Sequence, residues 1–157
     1  MKTKIGLIAA IILLNIVGAS AQDLFEKLGN NDQITSVFIS KSLLSMFPSM
    51  SGSIDVEGVD VKDIVAKLEQ IDIYTSDNKE AAQLIRTEAK KLQSQNKAYE
   101  MLMKIKNEGE DVIFYAEKDK NNKFKSLVMF VDSSDSCTLI RLLGSFTAED
   151  IQGVTKK

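Results

Sequence analysis

The chain has 157 residues, of which 44% are hydrophobic, 27% charged and 6% aromatic, and its formal net charge is −2. This balance is typical of a globular protein and excludes both a disordered chain and a disulfide-built scaffold. The sequence contains no histidine, which excludes Ser-His-Asp and Cys-His catalysis and histidine-ligated zinc.

Residues 1–21 have the features of a secretory signal peptide. Two lysines begin the segment, an apolar run follows, and an Ala-Ser-Ala sequence ending at Ala21 supplies the small residues that signal peptidase requires. The apolar run is shorter than the roughly 20 residues that a bilayer-spanning helix needs. We therefore predict cleavage after Ala21, which makes the protein periplasmic or secreted, without a stable membrane anchor.

Residues 22–157 form the predicted mature chain and are expected to fold as a single α+β domain. Cleavage removes Lys2 and Lys4 but no acidic residue, so the net charge falls from −2 to −4. This acidic balance argues against a nucleic-acid partner, because nucleic-acid binding favours a basic face. Cys137 is the only cysteine, so an internal disulfide is excluded. A buried position in a strand is the favoured interpretation of Cys137, and pairing between chains is the alternative.

Short apolar patterns predict the elements of the first half of the mature chain. In chain order they are a helix over residues 23–28, a strand over 34–39, a short helix capped by Ser40, a loop over 49–60, a helix over 61–68 capped by Asp60, and a strand around 71–74.

The clearest helix is predicted over residues 78–93. Asp77 is its expected N-cap, and Glu80 three residues later completes a capping box. Its apolar stripe, which must pack on another layer, consists of Ala81, Leu84, Ile85, Ala89 and Leu92.

From Tyr99 onward the apolar period changes to two, which indicates strands. The segment from Tyr99 to Lys106 is predicted to be a strand, with a helix as the open alternative because Met, Leu, Lys and Glu favour helices. Further strands are predicted over 112–116, 124–131 and 137–143, separated by polar turns, and Thr147 with Asp150 caps a last helix. The predicted fold is α+β: an antiparallel sheet with a C-terminal four-strand meander, on which one long amphipathic helix and shorter helices pack.

Residues 127–131 read Leu-Val-Met-Phe-Val and are apolar on both faces of their predicted strand. A sheet covered by helices on one side only would show polar residues on the other side. We expect that both faces are covered, with the N-terminal segments as the second cover. The alternative is that the second face is an interface.

No residue pattern specifies a catalytic, cofactor-binding or metal site. Asp55, Glu57 and Asp60 surround Gly58, but the spacing does not match an EF-hand loop. Residues 132–136 are explained by turn chemistry. Residues 94–97 match a minimal Ser-x-x-Lys pattern, which a helix C-terminus explains equally well.

The order of apolar phrases resembles the domain of unknown function family 4252, small exported proteins of Bacteroidota. The phrases are VFISK at 37–41, IDIYTS at 71–76, YEMLMK at 99–104, LVMFVD at 127–132 and LIRLLG at 139–144. Relatives often resemble lipoproteins, whereas this chain has Gln22 where a lipoprotein cysteine would stand. The resemblance implies no catalytic motif.

The expected function is that of an exported, non-catalytic protein that binds a protein or envelope component in the periplasm. Two alternatives stay open. One is a small hydrolase that uses carboxylates, and the other is a homodimeric structural module joined through the apolar meander.

Overall fold

The computed structural model describes residues 21–46, 62–94 and 98–153. The helices among them are α1 Ala21–Gly29, α2 Lys41–Met46, α3 Lys62–Lys67, α4 Lys79–Ser94 and α5 Ala148–Gly153. The strands are β1 Thr35–Ser40, β2 Leu68–Ser76, β3 Tyr99–Asn107, β4 Glu110–Lys118, β5 Phe124–Ser133 and β6 Cys137–Phe146. The predicted signal peptide up to residue 20, the loop over 49–60 and the proposed cap Asp60 lie outside the described residues.

The strands form one six-stranded sheet in the order β1-β2-β6-β5-β4-β3, and every neighbouring pair is antiparallel. The predicted C-terminal meander is therefore confirmed as β3 to β6. One side of β6 pairs with β5 of the meander, and its other side pairs with β2. β1 pairs with β2 and forms one edge of the sheet, and β3 forms the other edge. The α+β prediction is confirmed.

The segment from Tyr99 to Lys106 is a strand, as predicted, but its faces change part-way along. Met101 lies opposite Tyr115 whereas Met103 lies opposite Phe114, so Leu102 is an extra residue in a β-bulge. The bulge moves the apolar residues that follow it to the other face of the sheet.

The helices α1 and α4 pack on one face of the sheet, and the main core lies between these helices and the sheet. Phe25 of α1 stacks on Tyr74 of β2 with ring centroids 6.0 Å apart. Ile85 and Leu92 of α4 are fully buried in the same core. We call this side of the sheet the helix face. Its main buried strand residues are Tyr74, Tyr99, Tyr115, Val128, Phe130, Cys137 and Leu139.

The predicted stripe of α4 is confirmed except that Leu84 is only partly buried. Its predicted cap is wrong. The side-chain oxygen of Asn78, one residue later than Asp77, accepts hydrogen bonds from the backbone N–H groups of Glu80 and Ala81 at 3.0 and 3.1 Å. The preceding strand ends at Ser76, whose hydroxyl accepts the N–H of Asn78 at 3.2 Å. The helix then begins at Lys79, directly after its cap Asn78.

Two boundaries differ from the prediction for one tertiary reason. Leu68, assigned by its spacing to a helix, is the first residue of β2 and pairs with Gly144. Gly144, predicted to end the last strand, lies inside β6. A Cβ atom on Gly144 would collide with the carbonyl oxygen of Lys67 and the ring of Phe146. This close approach of α3 to β6 requires glycine and allows both strands to continue past it.

The capping box of the last helix is confirmed. Asp150 accepts the backbone N–H of Thr147 at 2.7 Å, and the Thr147 hydroxyl accepts the N–H of Asp150 at 3.2 Å. Asp150 also accepts a hydrogen bond from Lys67 of α3 at 2.5 Å. These contacts hold α5 beside α3. None of the helices in the described ranges is long and apolar enough to cross a membrane.

Candidate interaction surface

The two faces of the sheet differ in how far their side chains are covered. On β5 and β6, Val128 and Leu139 point to the helix face and are each 0% exposed. Their sequence neighbours Met129 and Ile140 point to the opposite face and are partly exposed. Within residues 127–131, the side chains that point to the helix face therefore belong to the core, whereas those that point to the opposite face are partly exposed.

A continuous row of six apolar side chains, one from each strand, crosses the face opposite α1 and α4. The pairing registers join Val37, Ile73, Ile140, Met129, Phe114 and Met103 in that order. We call these residues the apolar row and this side of the sheet the open face. At the two edges of the sheet, Val37 is 42% exposed and Met103 is 46% exposed.

A second row runs parallel to the apolar row and becomes more polar toward one edge. It consists of Thr35, Thr75, Thr138, Val131, Val112 and Ile105. The hydroxyls of Thr75 and Thr138 share a hydrogen bond of 2.8 Å. Beyond this row, the polar pair Glu110 and Ser133 closes the end of β4 and β5. An apolar centre with a polar margin is the usual composition of a protein–protein interface.

The opposite end of the open face is covered. Leu44 of α2, Val65 of α3 and Ile151 of α5 pack there against a second cluster of buried residues. That cluster consists of Leu68, Ala116, Phe124 and Phe146. The expected N-terminal segments, α2 and α3, thus cover this end of the second face together with the C-terminal α5, and the apolar row remains partly exposed next to it.

The helix face contains a buried ion pair near the centre of the sheet. Asp72, 3% exposed, accepts hydrogen bonds from Arg141 at 2.5 and 2.7 Å and from the Gln70 amide at 2.9 and 3.0 Å. The guanidinium of Arg141 lies 3.8 Å from the ring centre of Phe25. The buried carboxylate of Asp72 is tolerated because it is paired with Arg141. The contact of Arg141 with the ring of Phe25 in turn attaches α1 to the sheet.

Glu88 of α4 is the second buried carboxylate among the described residues. It accepts hydrogen bonds from Lys27 at 2.6 Å and from Lys91 at 2.9 Å. Burial alone would raise the pKa of Glu88, but the two ammonium groups outweigh it and hold that pKa below its ordinary value. A carboxylate in this state is an ion-pair partner, whereas a general acid requires a raised pKa.

Cys137 lies in β6 at the helix face and is 1% exposed. The prediction of a buried strand position is confirmed. Burial and the nearby Asp132 raise the pKa of the thiol to about 12. Since the thiolate is the reactive form, these surroundings make the thiol inert.

The patterns weighed in the sequence as chemistry have structural roles where they are described. Asp132 pairs with Arg86 of α4 at 2.5 Å, and the N–H of Ser133 donates to the carbonyl of Ser136 at 3.0 Å, as expected of a turn. The Ser94 hydroxyl donates to the carbonyl of Lys90 at 3.1 Å. The acidic segment around Gly58 lies outside the described residues, and within the described ones no three metal-ligating side chains are grouped.

A cleft lies between the start of α4 and the turn from β5 to β6. It is an open cleft of about 770 Å³ whose lining includes Asp77, Lys79, Arg86 and Asp135. One of its two cations, Arg86, is already paired with Asp132 and donates to the carbonyl of Ser133 at 2.9 Å. The cleft is therefore lined by charged side chains, whereas the apolar row on the open face contains none.

The sequence predicts the strand that carries Met129 but not the apolar row, because the row depends on the registers of five strand pairs. A signal for it is present in the sequence. Phe114, Met129 and Ile140 are apolar residues at strand positions that a sheet with one solvent face would make polar.

Comparison with known families gives one match. A family model described as a domain of unknown function, DUF4252, matches residues 25–154. No curated protein and no solved structure matches the chain. The match includes all six strands and α2 to α5. This chain therefore belongs to the DUF4252 family, as its order of apolar phrases suggests.

Proposed function

We propose that this protein is an exported, non-catalytic binding module that holds a partner protein of the cell envelope on its open face. The observation that carries the proposal is the apolar row, which crosses all six strands and stays partly exposed beside fully buried neighbours. Monomeric soluble proteins rarely leave contiguous apolar surface of this kind uncovered.

The composition of the open face supports a protein partner. None of the six side chains in the apolar row is charged, and depletion of charge at the centre is characteristic of protein interfaces. Met103, Met129 and Phe114 belong to the residue types enriched at such interfaces. Methionine adapts its shape to an irregular partner surface because its side chain is unbranched.

The location in the cell envelope rests on residues 1–21. Their two lysines, apolar run and final Ala-Ser-Ala carry a secretory signal, and Gln22 provides no site for a lipid anchor. A module released into the periplasm would meet envelope proteins at that location.

The two buried carboxylates favour binding over the carboxylate-hydrolase alternative. Asp72 is neutralised by Arg141, and Glu88 is neutralised by two lysines. Carboxylate catalysis would instead need converging acids, one of which keeps its proton near neutral pH.

Site-specific photo-crosslinking in intact cells tests the proposal. A photoreactive residue in place of Ile140, in the apolar row, should give a discrete adduct that mass spectrometry identifies as one partner. The same residue in place of Gln83, which is exposed on α4, is the matched control and should give none. Adding Met129→Asp to the Ile140 probe should abolish the adduct, because an unpaired carboxylate disfavours apolar contact.

Equal labelling from both positions, or an adduct that survives Met129→Asp, would contradict the proposal. An adduct of twice the chain mass would instead support the homodimeric module joined through the meander. The experiment therefore separates the proposed function from this alternative by the identity of the adduct.

A further inference from the structure

The two edges of the sheet differ in the features that prevent strand addition. β3, at one edge, has the bulge at Leu102 and carries Glu100, Lys104 and Lys106. Bulges and charged side chains, lysine above all, are the devices by which natural sheets block pairing at an edge. A two-fold pairing of β3 around Ile105 would also set Lys104 against Lys106 of a second copy, which is unfavourable.

β1, at the other edge, has none of these features. Its sequence, Thr-Ser-Val-Phe-Ile-Ser, contains no charge and no proline. Its register with β2 runs without a bulge from Thr35 to Ser40. Phe38 is 64% exposed and points to the helix face, whereas Val37 is 42% exposed and points to the open face.

The backbone of β1 is also available for pairing. Among the described strands, β1 pairs only with β2, so about half of its N–H and C=O groups point away from the sheet. Within the described ranges, the backbone hydrogen bonds of turns and loops do not include a residue from Thr35 to Ser40. An uncharged, regular strand with such an edge is a template for another strand.

We propose that β1 pairs antiparallel with β1 of a second copy, around a two-fold axis at Phe38. This register sets Phe38 against Phe38 of the second copy, Val37 against Ile39, and Ser36 against Ser40. Each pair joins like with like: aromatic with aromatic, aliphatic with aliphatic, and hydroxyl with hydroxyl. The interface is isologous, as a two-fold dimer requires.

The absence of charge on β1 permits pairing with a second copy. The predicted mature chain has a net charge of −4 (18 basic and 22 acidic residues), so two copies repel one another at long range. Pairing through β1 places no two like charges opposite each other within the strand pair, because no residue of β1 is charged. Paired aromatic and β-branched residues across antiparallel strands stabilise a sheet.

The dimer goes beyond the proposed function, because it uses the edge of the sheet and leaves the open face free. Two six-stranded sheets would join into one, with both apolar rows on the same side. A module with two such faces would bind a two-fold or repeated partner with increased avidity.

Sedimentation of the processed protein tests the pairing. We expect a concentration-dependent dimer. Phe38→Lys and Phe38→Glu, each alone, should weaken it by at least about tenfold, because the axis sets the two substituted positions against each other with like charge. Both variants should keep the native circular dichroism spectrum, since Phe38 is mostly exposed. Leu102→Lys, at the β3 edge and outside the apolar row, is the matched control and should leave the dimer intact.

Mixing the Phe38→Lys variant with the Phe38→Glu variant should restore the dimer, because unlike charges would then meet at the axis. A wild-type protein that stays monomeric at its highest soluble concentration would overturn the proposal. So would a dimer that survives both substitutions, or a mixture that fails to reassociate. These outcomes are independent of the crosslinking test, in which the probe lies on the open face.

Discussion

Val128 and Met129 are adjacent on β5 and lie on opposite faces of the sheet, the first sealed under the helices and the second partly exposed in the apolar row. One peptide unit thus separates the core of the protein from its candidate interaction surface. Substitutions at these two residues therefore distinguish apolar positions that serve folding from those that serve binding.

Aspartate at the two positions should have different effects. Val128→Asp places a carboxylate without a partner in the core, and we expect it to unfold the domain or cost more than about 3 kcal/mol. Met129→Asp should leave a folded protein that has lost partner binding. Circular dichroism with thermal unfolding measures the folding of both variants, and the photo-crosslink from Ile140 measures partner binding. If Met129→Asp also unfolds the protein, the open face is core.

The packing of α4 on the sheet can be tested by truncating one side chain. Ile85 is 0% exposed, so Ile85→Ala should lower the free energy of unfolding by about 2–5 kcal/mol through lost burial and a cavity. Gln83→Ala, on the exposed side of the same helix, should change it by less than about 0.5 kcal/mol. Equal losses in a urea titration would show that the face of α4 is wrongly assigned.

Asp150 should titrate at unusually low pH. The hydrogen bond from Lys67, followed by the backbone N–H of Thr147, lowers the pKa of Asp150 from 3.8 to about 2. Because the pKa is lower in the folded state, the contribution of Asp150 to stability is fully present above pH 3.8 and is lost as the pH falls toward 2.

NMR titration of the Asp150 carboxyl in wild type and in Lys67→Met checks this assignment. The substitution should raise the pKa toward its ordinary value without fully restoring it, because the bond from Thr147 remains. An identical titration curve in the two proteins would rule out the contact between α3 and α5.

The thiol of Cys137 should be inert in the folded protein. With a pKa of about 12 and almost complete burial, it has little thiolate at neutral pH and no access for a reagent. A thiol-specific disulfide reagent should react slowly under native conditions and rapidly in urea. A cysteine introduced by Gln83→Cys is the exposed control and should react at once. Fast native labelling of Cys137 would contradict its position in β6.

Export can be tested on the protein isolated from its own cells. Mass spectrometry should find Gln22, or its cyclised form, at the N-terminus, since cleavage is predicted after Ala21. Ala21→Arg should leave the precursor uncleaved, because the cleavage pocket requires a small residue. An intact Met1 on a protein held in the membrane would disprove the signal-peptide prediction.

Local patterns in the sequence determined the type and order of most elements. Alternation of period two, broken by polar turns, is sufficient for the strands from Tyr99 onward, because hairpin pairing joins neighbours in the chain. The apolar stripe of α4 predicted its buried face, since the spacing of Ile85, Ala89 and Leu92 repeats with the helical turn. The capping box of Thr147 and Asp150 needs contacts only within four residues.

Tertiary contacts decided what lies beyond that range. Leu68 has helical spacing yet begins β2, because pairing with Gly144 outweighs its local preference. The bulge at Leu102 depends on the register with β4, and the place of β1 at an uncharged edge depends on β2 pairing with β6. The sequence alone determined that residues 127–131 are apolar on both faces. Only the packing of α1 and α4 decided that Val128 is core and Met129 remains open to a partner, because the phase of a strand relative to a helix layer is a property of the assembled sheet.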